Sequence, residues 1–228
     1  MGYETYLMSQ LVFKFPFKTK YFEQDFYVAA NNFSAYKLVE SWPNWSSKWL
    51  NVFGTSGSGK THLSKILEKK INKVKIINAE KINNNILDNL CNLNCLIIDN
   101  YRGNIDEELF YSLLNQSKQL DNFILINSIK PIKKNKFELT DLKSRVESFL
   151  YIGIQLPTDD LLKVIISKSF SDKQIILDPK ISSFIIKNVE RSYDNIFKFL
   201  KEIDDLSLSS GKSININLIK KVIKKKNE

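Results

Sequence analysis

Short apolar runs alternate with longer amphipathic stretches through the first two thirds of the chain. Five apolar runs have the length of buried strands, at 50–53, 74–77, 95–99, 123–127 and 151–155. Stretches with helical periodicity separate them, at 60–70, 80–92, 106–119 and 139–148. Another amphipathic helix, preceded by a turn, is predicted over 26–41. Apolar strands separated by helices predict an α/β fold with a mainly parallel sheet covered on both faces.

The pattern changes near Pro157, after which no strong strand run occurs before about residue 214. Four helices are predicted in this part, at 159–170, 178–189, 192–207 and 214–226. At the other end, apolar side chains occupy alternate positions from Leu11 to Phe17, which is typical of an extended segment. We therefore expect an extended segment at 1–20, an α/β domain at 21–156 and a small all-α domain at 157–228.

A complete phosphate-loop pattern follows the first predicted strand. Glycines in this pattern let backbone N–H groups surround phosphates, and the next helix points its positive end at them. Lys60 is expected to reach the terminal phosphates, and the Thr61 hydroxyl to hold Mg²⁺. A Gly/Ser-rich surface turn is the alternative, but the strand–loop–helix context argues against it. The candidate nucleotide contacts are Gly54, Ser56, Gly57, Ser58, Gly59, Lys60, Thr61 and His62.

Two other predicted strands end in polar residues that suit the same site. Asp99 ends an apolar strand, where its carboxylate can orient the water ligands of Mg²⁺ beside Thr61. Asn127 ends the strand at 123–127 and Ser128 follows it, and either can contact the terminal phosphate or an attacking water. A strand that simply runs into a loop is an equal alternative for the second pair.

Composition and charge add little to this picture. The chain has 228 residues, 43% of them hydrophobic, which is enough for one medium and one small domain. Its net charge of +9 suits weak attraction to DNA, but lysine is abundant together with asparagine and isoleucine, so we do not expect sequence-specific DNA binding. There is no apolar run of about 18 residues, and a cytoplasmic protein without a membrane partner is predicted.

Three motifs together resemble the AAA+ module of the bacterial replication initiator DnaA. They are Gly-x-x-Gly-x-Gly-Lys-Thr-His-Leu at 54–63, Ile-Asp-Asn at 98–100 and Asp-Leu-x-Ser-Arg at 141–145. The segment at 26–32 resembles the part of that module that lines the adenine pocket, so the resemblance makes Val28 and Asn32 candidate contacts. It covers about residues 22–225 and implies a three-layer AAA+ sandwich followed by a helical lid domain.

The start of the chain resembles the clamp-binding motif of the Hda-type regulators within this family. This resemblance implies that Gln10, Leu11, Phe13 and Phe15 dock in the peptide groove of the DNA-polymerase sliding clamp. Alternate apolar side chains beside a polar anchor suit such a groove, although an apolar tail packed on its own domain is an alternative. Arg145 is predicted on an exposed helix end, where an ordinary surface cation is the alternative. The resemblance also implies that Arg145 acts in trans on ATP held by a neighbouring DnaA, while this chain holds ADP or ATP with Mg²⁺.

Two departures from the family pattern bear on catalysis. Related ATPases usually carry a second acid where this chain has Asn100, which cannot take a proton from water. Asp194 occupies the position of the family's lid arginine, so that either Arg191 substitutes for it or the lid senses the terminal phosphate poorly. We therefore expect a regulatory adaptor that stimulates hydrolysis of DnaA-bound ATP and prevents re-initiation.

Three questions stay open at this point. An autonomous ATPase or helicase loader is one alternative, and a module that only localises DnaA is another. Formation of a homo-oligomer is also open.

Overall fold

The structure, a computed structural model, describes residues 26–172, 175–211 and 214–227. The chain forms two compact units, and the boundary between them lies between Thr158 and Asp159. The predicted clamp-binding segment, with Gln10, Leu11, Phe13 and Phe15, lies outside the described residues.

The first unit contains a five-stranded sheet in which all four strand pairings are parallel. The strands are β1 Trp49–Phe53, β2 Val74–Asn78, β3 Cys95–Tyr101, β4 Phe123–Ser128 and β5 Leu150–Gly153. Their order across the sheet is β2-β3-β4-β1-β5, so that β1 lies between β4 and β5. The parallel sheet predicted from the apolar runs is confirmed, and the ends of β1, β3 and β4 meet at its carboxyl edge.

Helices cover both faces of this sheet. They are α1 Phe33–Glu40, α2 Lys60–Glu68, α3 Asn85–Asn89, α4 Glu107–Gln119 and α5 Thr140–Glu147. Successive side chains of β3 point to opposite faces of the sheet. Cys95 and Ile97 lie in the core that includes residues of α1 and α2. Leu96 and Ile98 lie in the opposite core, formed with residues of α3, α4 and α5. The result is the predicted three-layer sandwich.

The second unit is helical, as predicted. Its elements are α6 Asp159–Ser171, α7 Pro179–Asn188, α8 Tyr193–Ser210 and α9 Ile216–Asn227. One apolar cluster joins the four helices, with Phe170 and Phe199 among its largest fully buried side chains. The start of α8 is capped by Ser192, whose hydroxyl accepts a hydrogen bond from the Asn195 N–H at 3.2 Å.

Two helices predicted from the sequence are wrong in extent because asparagines hydrogen-bond the local backbone instead. The predicted helix at 80–92 is a short α3 between two 3-10 turns. Asn78 and Asn83 there accept bonds from the N–H groups of Glu80 and Asn85 at 3.0 and 3.1 Å. The helix predicted over 26–41 occupies only 33–40, because Asn32 holds the preceding turn.

Within the described ranges, none of the helices combines the length and apolar character needed to cross a membrane.

Candidate nucleotide-binding site

The glycine-rich loop joins β1 to α2 at the carboxyl edge of the sheet. Its first residue, Gly54, donates its N–H to the carbonyl oxygen of Ser128 at 3.1 Å. A Cβ on Gly54 would lie 2.8 Å from the Ile154 carbonyl oxygen, so a larger residue does not fit. Gly57 and Gly59 have φ values of 75° and 95°, which other residues rarely adopt. The glycines therefore give the loop the close approach and the backbone turns that a phosphate cradle needs.

Lys60 begins α2 and turns its side chain back over the loop. Its Nζ donates to the carbonyl oxygens of Gly54 and Thr55 at 2.8 and 2.9 Å, and to Ser58 Oγ at 3.3 Å. Burial lowers the pKa of Lys60 to about 8, while the negative charge of Asp99 acts in the opposite direction. A phosphate group would supply the negative charge that these neutral acceptors lack.

Thr61 and Asp99 lie together, as the sequence predicts. The Thr61 hydroxyl donates to Asp99 Oδ2 at 2.8 Å, and the Asp99 side chain is buried, with 8% of the residue exposed. Hydroxyl and carboxylate oxygens are the hard ligands that Mg²⁺ prefers, so this donor set fits the ion. Thr61 and Asp99 would hold Mg²⁺, which would supply positive charge against the negative charge of nucleotide phosphates.

Asn127 is fully buried and belongs to the same network. Its Nδ2 donates to Asp99 Oδ1 at 2.9 Å and to Ser64 Oγ at 2.8 Å. Ser128 is instead occupied with the backbone, because its hydroxyl donates to the Lys130 carbonyl oxygen at 2.8 Å. The structure therefore brings Asn127, not Ser128, to the acidic end of β3.

The segment at 26–32 packs beside the phosphate loop. The Phe26 ring contacts the His62 ring edge-on, with 5.3 Å between ring centroids, and its Cε2 lies 2.9 Å from where a Cβ on Gly59 would stand. Val28 is half-buried. Asn32 uses both ends of its amide in the turn, accepting from the Ala29 N–H at 2.8 Å and donating to the Tyr27 carbonyl at 2.9 Å. Asn32 thus shapes the segment, and its contact with adenine stays a prediction.

Asn100 stands at an irregularity in β3. The register of β3 against β4 shifts between Ile98 and Tyr101, and Asn100 there has a φ of 59°. Asparagine tolerates this left-handed conformation better than most residues. Its side chain is exposed at the carboxyl edge, next to Asp99.

Arg145 lies at the opposite edge of the sheet from the phosphate loop. It is in the last turn of α5, three residues before Ser148. The Ser148 carbonyl oxygen accepts a hydrogen bond at 3.2 Å from the hydroxyl of Ser47, which lies just before the start of β1. The side chain is half-buried, not on an exposed helix end as the sequence suggested. Among the described residues, none forms a hydrogen bond or an ion pair with its guanidinium group.

Arg145 lines a cleft of about 600 Å³ at this amino edge. Charged residues of both signs surround the cleft, and its lining includes Lys48, Trp49, Lys118, Asp121 and Asp141. Lys48 forms an ion pair with Asp121. Arg145 therefore offers donors inside a polar cleft that no described residue uses.

The candidate lid residues have partners within the second unit. Arg191 Nη2 lies 3.2 Å from Asp159 Oδ2, and Asp194 Oδ2 lies 2.6 Å from Lys198 Nζ. The carboxylate at 194 thus pairs with a lysine one helical turn later in α8.

Comparisons with known proteins agree on one kind of module. No protein-family model matches the chain. The DnaA initiator of Buchnera aphidicola subsp. Baizongia pistaciae is 30% identical over 95% of this chain and 53% of the relative. That of Buchnera aphidicola subsp. Cinara cedri is 28% identical over 85% of this chain and 49% of the relative. The chain thus spans about half the length of these relatives.

Solved structures are similar over most of the chain. Domain III of DnaA from Thermotoga maritima superposes with a TM-score of 0.75 and 19% identity, over 92% of this chain and 98% of that domain. The chain has a DnaA-like AAA+ fold. AMPPCP-bound DnaA from Aquifex aeolicus gives a TM-score of 0.66 and 19% identity over 82% of this chain and 65% of that one. The phosphate loop, Asp99 and Asn127 thus lie in a DnaA-like module.

Two residues of this DnaA-like module were missed by sequence reasoning. Ser64 accepts a hydrogen bond from Asn127. The Asn51 side chain of β1 donates to the Ile126 carbonyl oxygen of β4 and accepts from the Ile132 N–H. The only signal in the sequence is a polar residue on an otherwise apolar stretch, which does not identify a partner 63 or 75 positions away.

Proposed function

We propose that this protein is a nucleotide-bound, DnaA-like regulator of replication initiation that supplies Arg145 to ATP held by a neighbouring DnaA. In this proposal ADP, or ATP, and Mg²⁺ occupy the site formed by Lys60, Thr61 and Asp99. The N-terminal segment docks on the sliding clamp, which brings the regulator to DnaA at replicating DNA. Hydrolysis of DnaA-bound ATP then prevents re-initiation.

The half-buried guanidinium of Arg145, which has no partner in the described part of the chain, is the observation that supports this function. Its five N–H donors meet no acceptor among the described residues, so they are available to a ligand from outside the chain. The cleft is at the amino edge of the sheet, whereas Gly54 is at the carboxyl edge. The five residues of β1 separate the two edges by roughly 16 Å at about 3.3 Å per residue. This separation supports a role for Arg145 at another molecule's nucleotide and not at its own.

An arginine contributed across an interface is worth about 10³–10⁵-fold in phosphoryl transfer, because it meets charge that develops on the transferred group. Arg145→Ala is expected to abolish stimulation of DnaA ATP hydrolysis in a reaction with clamp-loaded DNA. Arg145→Lys should restore little, because an ammonium lacks the planar fork of a guanidinium. ADP binding by this chain should stay unchanged in both variants.

Lys143→Ala is the matched control, because Lys143 is an exposed cation on the same helix. This variant loses the same charge and should stimulate DnaA normally. Full stimulation by Arg145→Ala would refute the trans role and favour a module that only localises DnaA.

Hydrolysis of ATP by this protein itself is the second candidate function. The hydrogen bonds of Asp99 with Thr61 and Asn127 favour it. Asn100 argues against it, since an amide cannot accept the proton of an attacking water. A turnover assay of the purified protein without DnaA separates the two. Turnover that Arg145→Ala leaves unchanged would identify an autonomous ATPase.

A further inference from the structure

Ser64 is a buried hydroxyl next to the candidate metal ligands. It lies three residues after Thr61 in α2, is fully buried, and its Oγ accepts a hydrogen bond from Asn127 Nδ2 at 2.8 Å. The other three buried positions of α2 are all aliphatic, at Leu63, Ile66 and Leu67. A hydroxyl in such a place is costly unless a partner satisfies it, and here the partner is Asn127.

The chemistry of Asp99 fixes the orientation of the Asn127 amide. Nδ2 faces Asp99 Oδ1 at 2.9 Å, and the reversed amide would place a carbonyl oxygen against a carboxylate oxygen. Both N–H groups are therefore committed, one to Asp99 and one to Ser64. Asn127 Oδ1 is buried and has no hydrogen-bond partner among the described residues. It can accept a bond from water but cannot donate one to a phosphate oxygen.

Asp99 is thus held from two sides. Thr61 donates to Oδ2 and Asn127 donates to Oδ1, so that the carboxylate plane is fixed only when both bonds form. Without Ser64, the Asn127 amide would keep one acceptor and could rotate away from Asp99. Mutating a group that orients a metal ligand in this way typically lowers metal affinity about 10–100-fold.

We propose that Ser64 is a positioning residue that acts through Asn127 to hold Asp99 in the geometry needed for nucleotide-bound Mg²⁺. This inference rests on the nucleotide site of the proposed function but not on Arg145 or on DnaA. It assigns Asn127 to the carboxylate and to water, and not to direct recognition of the terminal phosphate.

The test compares ADP affinity in the presence of Mg²⁺ and in EDTA, measured by calorimetry on the full chain. The ratio of the two affinities reports how well the protein holds the metal. Ser64→Ala should lower this ratio about three- to tenfold, less than a direct partner of a ligand would, and leave the EDTA affinity unchanged. Ser64→Thr, which keeps Oγ, should restore the ratio.

Ser117→Ala is the matched control. Ser117 is also a fully buried helical serine, and its hydroxyl donates to the Asn122 carbonyl at 3.2 Å, at the opposite edge of the sheet. Its loss should leave the Mg²⁺ ratio unchanged. In an Asn127→Ala background, Ser64→Ala should have no further effect on the ratio, because the residue through which Ser64 acts is already missing.

The outcomes separate the two proposals. A wild-type Mg²⁺ ratio in Ser64→Ala, or an equal loss in Ser117→Ala, would overturn the positioning role while leaving nucleotide binding intact. Wild-type ADP affinity that EDTA does not change would also overturn it. A wild-type protein that binds no nucleotide in either condition would instead refute the nucleotide site itself.

Discussion

Lys60 and Gly54 are joined by a hydrogen bond of 2.8 Å from the ammonium Nζ to the carbonyl oxygen at the first glycine of the phosphate loop. The two other acceptors of Lys60, the Thr55 carbonyl and the Ser58 hydroxyl, are also neutral. Since none offsets the cost of burying a cation, the pKa of Lys60 falls to about 8. Bound phosphates would supply a negative charge at this place and raise that pKa again.

We therefore expect ADP binding to take up protons near pH 8. In the free protein about half of the Lys60 side chains are neutral at that pH, and bound phosphates favour the charged form. Each binding event should take up as much as about half a proton, and the affinity should fall as the pH rises above 8. Calorimetry in two buffers with different ionisation enthalpies measures the uptake.

Lys60→Met should remove this proton uptake and, at pH 7, weaken ADP binding at least about tenfold, or about 1.4 kcal/mol. Lys65→Met is the control, because Lys65 lies on the same helix and pairs with Glu68 at 2.8 Å. It should keep both the uptake and the affinity. Wild-type binding at pH 8 without any proton uptake would contradict the role of Lys60.

The same pKa predicts a pH-dependent difference in stability between wild type and Lys60→Met without nucleotide. The pKa of Lys60 lies at about 8 in the folded protein and near its usual 10.5 in the unfolded chain. Between these values the unfolded chain binds more protons, so the stability of the wild type rises with pH relative to the variant. Lys60→Met should be the more stable protein at pH 7 and equal to wild type above about pH 10.5. Thermal unfolding across this range tests the trend, and a pH-independent difference would contradict it.

Gly59 is expected to tolerate alanine much less well than Gly103 does. Both have a positive φ, of 95° and 83°, so alanine costs about 1–2 kcal/mol of strain at each. Only at Gly59 would the new Cβ meet a ring, Phe26 Cε2 at 2.9 Å, whereas at Gly103 its nearest neighbour is Asn135 Nδ2 at 3.6 Å. Gly59→Ala should lose more stability in urea, and also ADP affinity. Equal losses of stability in the two variants would show that the Phe26 ring moves aside without a measurable free-energy cost.

Asn51→Ala should destabilise the first unit by about 2–4 kcal/mol. Asn51 is fully buried, donates to the Ile126 carbonyl and to Ser128 Oγ at 2.8 and 2.9 Å, and accepts from the Ile132 N–H at 3.1 Å. Alanine would leave buried backbone groups without partners. Urea unfolding followed by tryptophan fluorescence measures the loss, and Asn89→Ala, at an exposed asparagine, should stay within about 0.5 kcal/mol of wild type. A loss equally small in Asn51→Ala would contradict this account.

The strands and the metal-binding end of the site were predictable because local patterns determine them. The predicted strand at 95–99 ends within two residues of β3, since an uninterrupted apolar run must be buried on both faces. The pairing of Thr61 with Asp99 followed from parallel topology, which brings the carboxyl ends of strands to one edge.

Contacts between distant side chains were not predictable in the same way. Ser64 and Asn127 are 63 positions apart, and nothing local in either segment indicates that they meet. The cleft at Arg145 depends likewise on how the segments before β1, β4 and β5 come together. The helix predicted over 80–92 was wrong in extent for a different reason. The side chains of its asparagines hydrogen-bond the local backbone and so compete with helix formation, and the spacing of apolar residues gives no sign of this.

The clamp-binding segment stays a prediction, and its test concerns the N-terminal motif alone. Replacing Gln10 and Leu11 together with alanine should abolish binding to the sliding clamp while ADP affinity is retained. An extended peptide gains most of its affinity from a few anchor side chains, so losing two anchors is not compensated by the remaining contacts. Surface-plasmon resonance on immobilised clamp gives the measurement.

Replacing Lys18 and Lys20 with alanine is the control, because it changes charge in the same segment without touching the motif. If the Gln10 and Leu11 variant still binds with wild-type affinity, clamp recognition lies elsewhere in the chain. If both variants lose binding equally, the attraction is electrostatic and the peptide-groove mode is wrong.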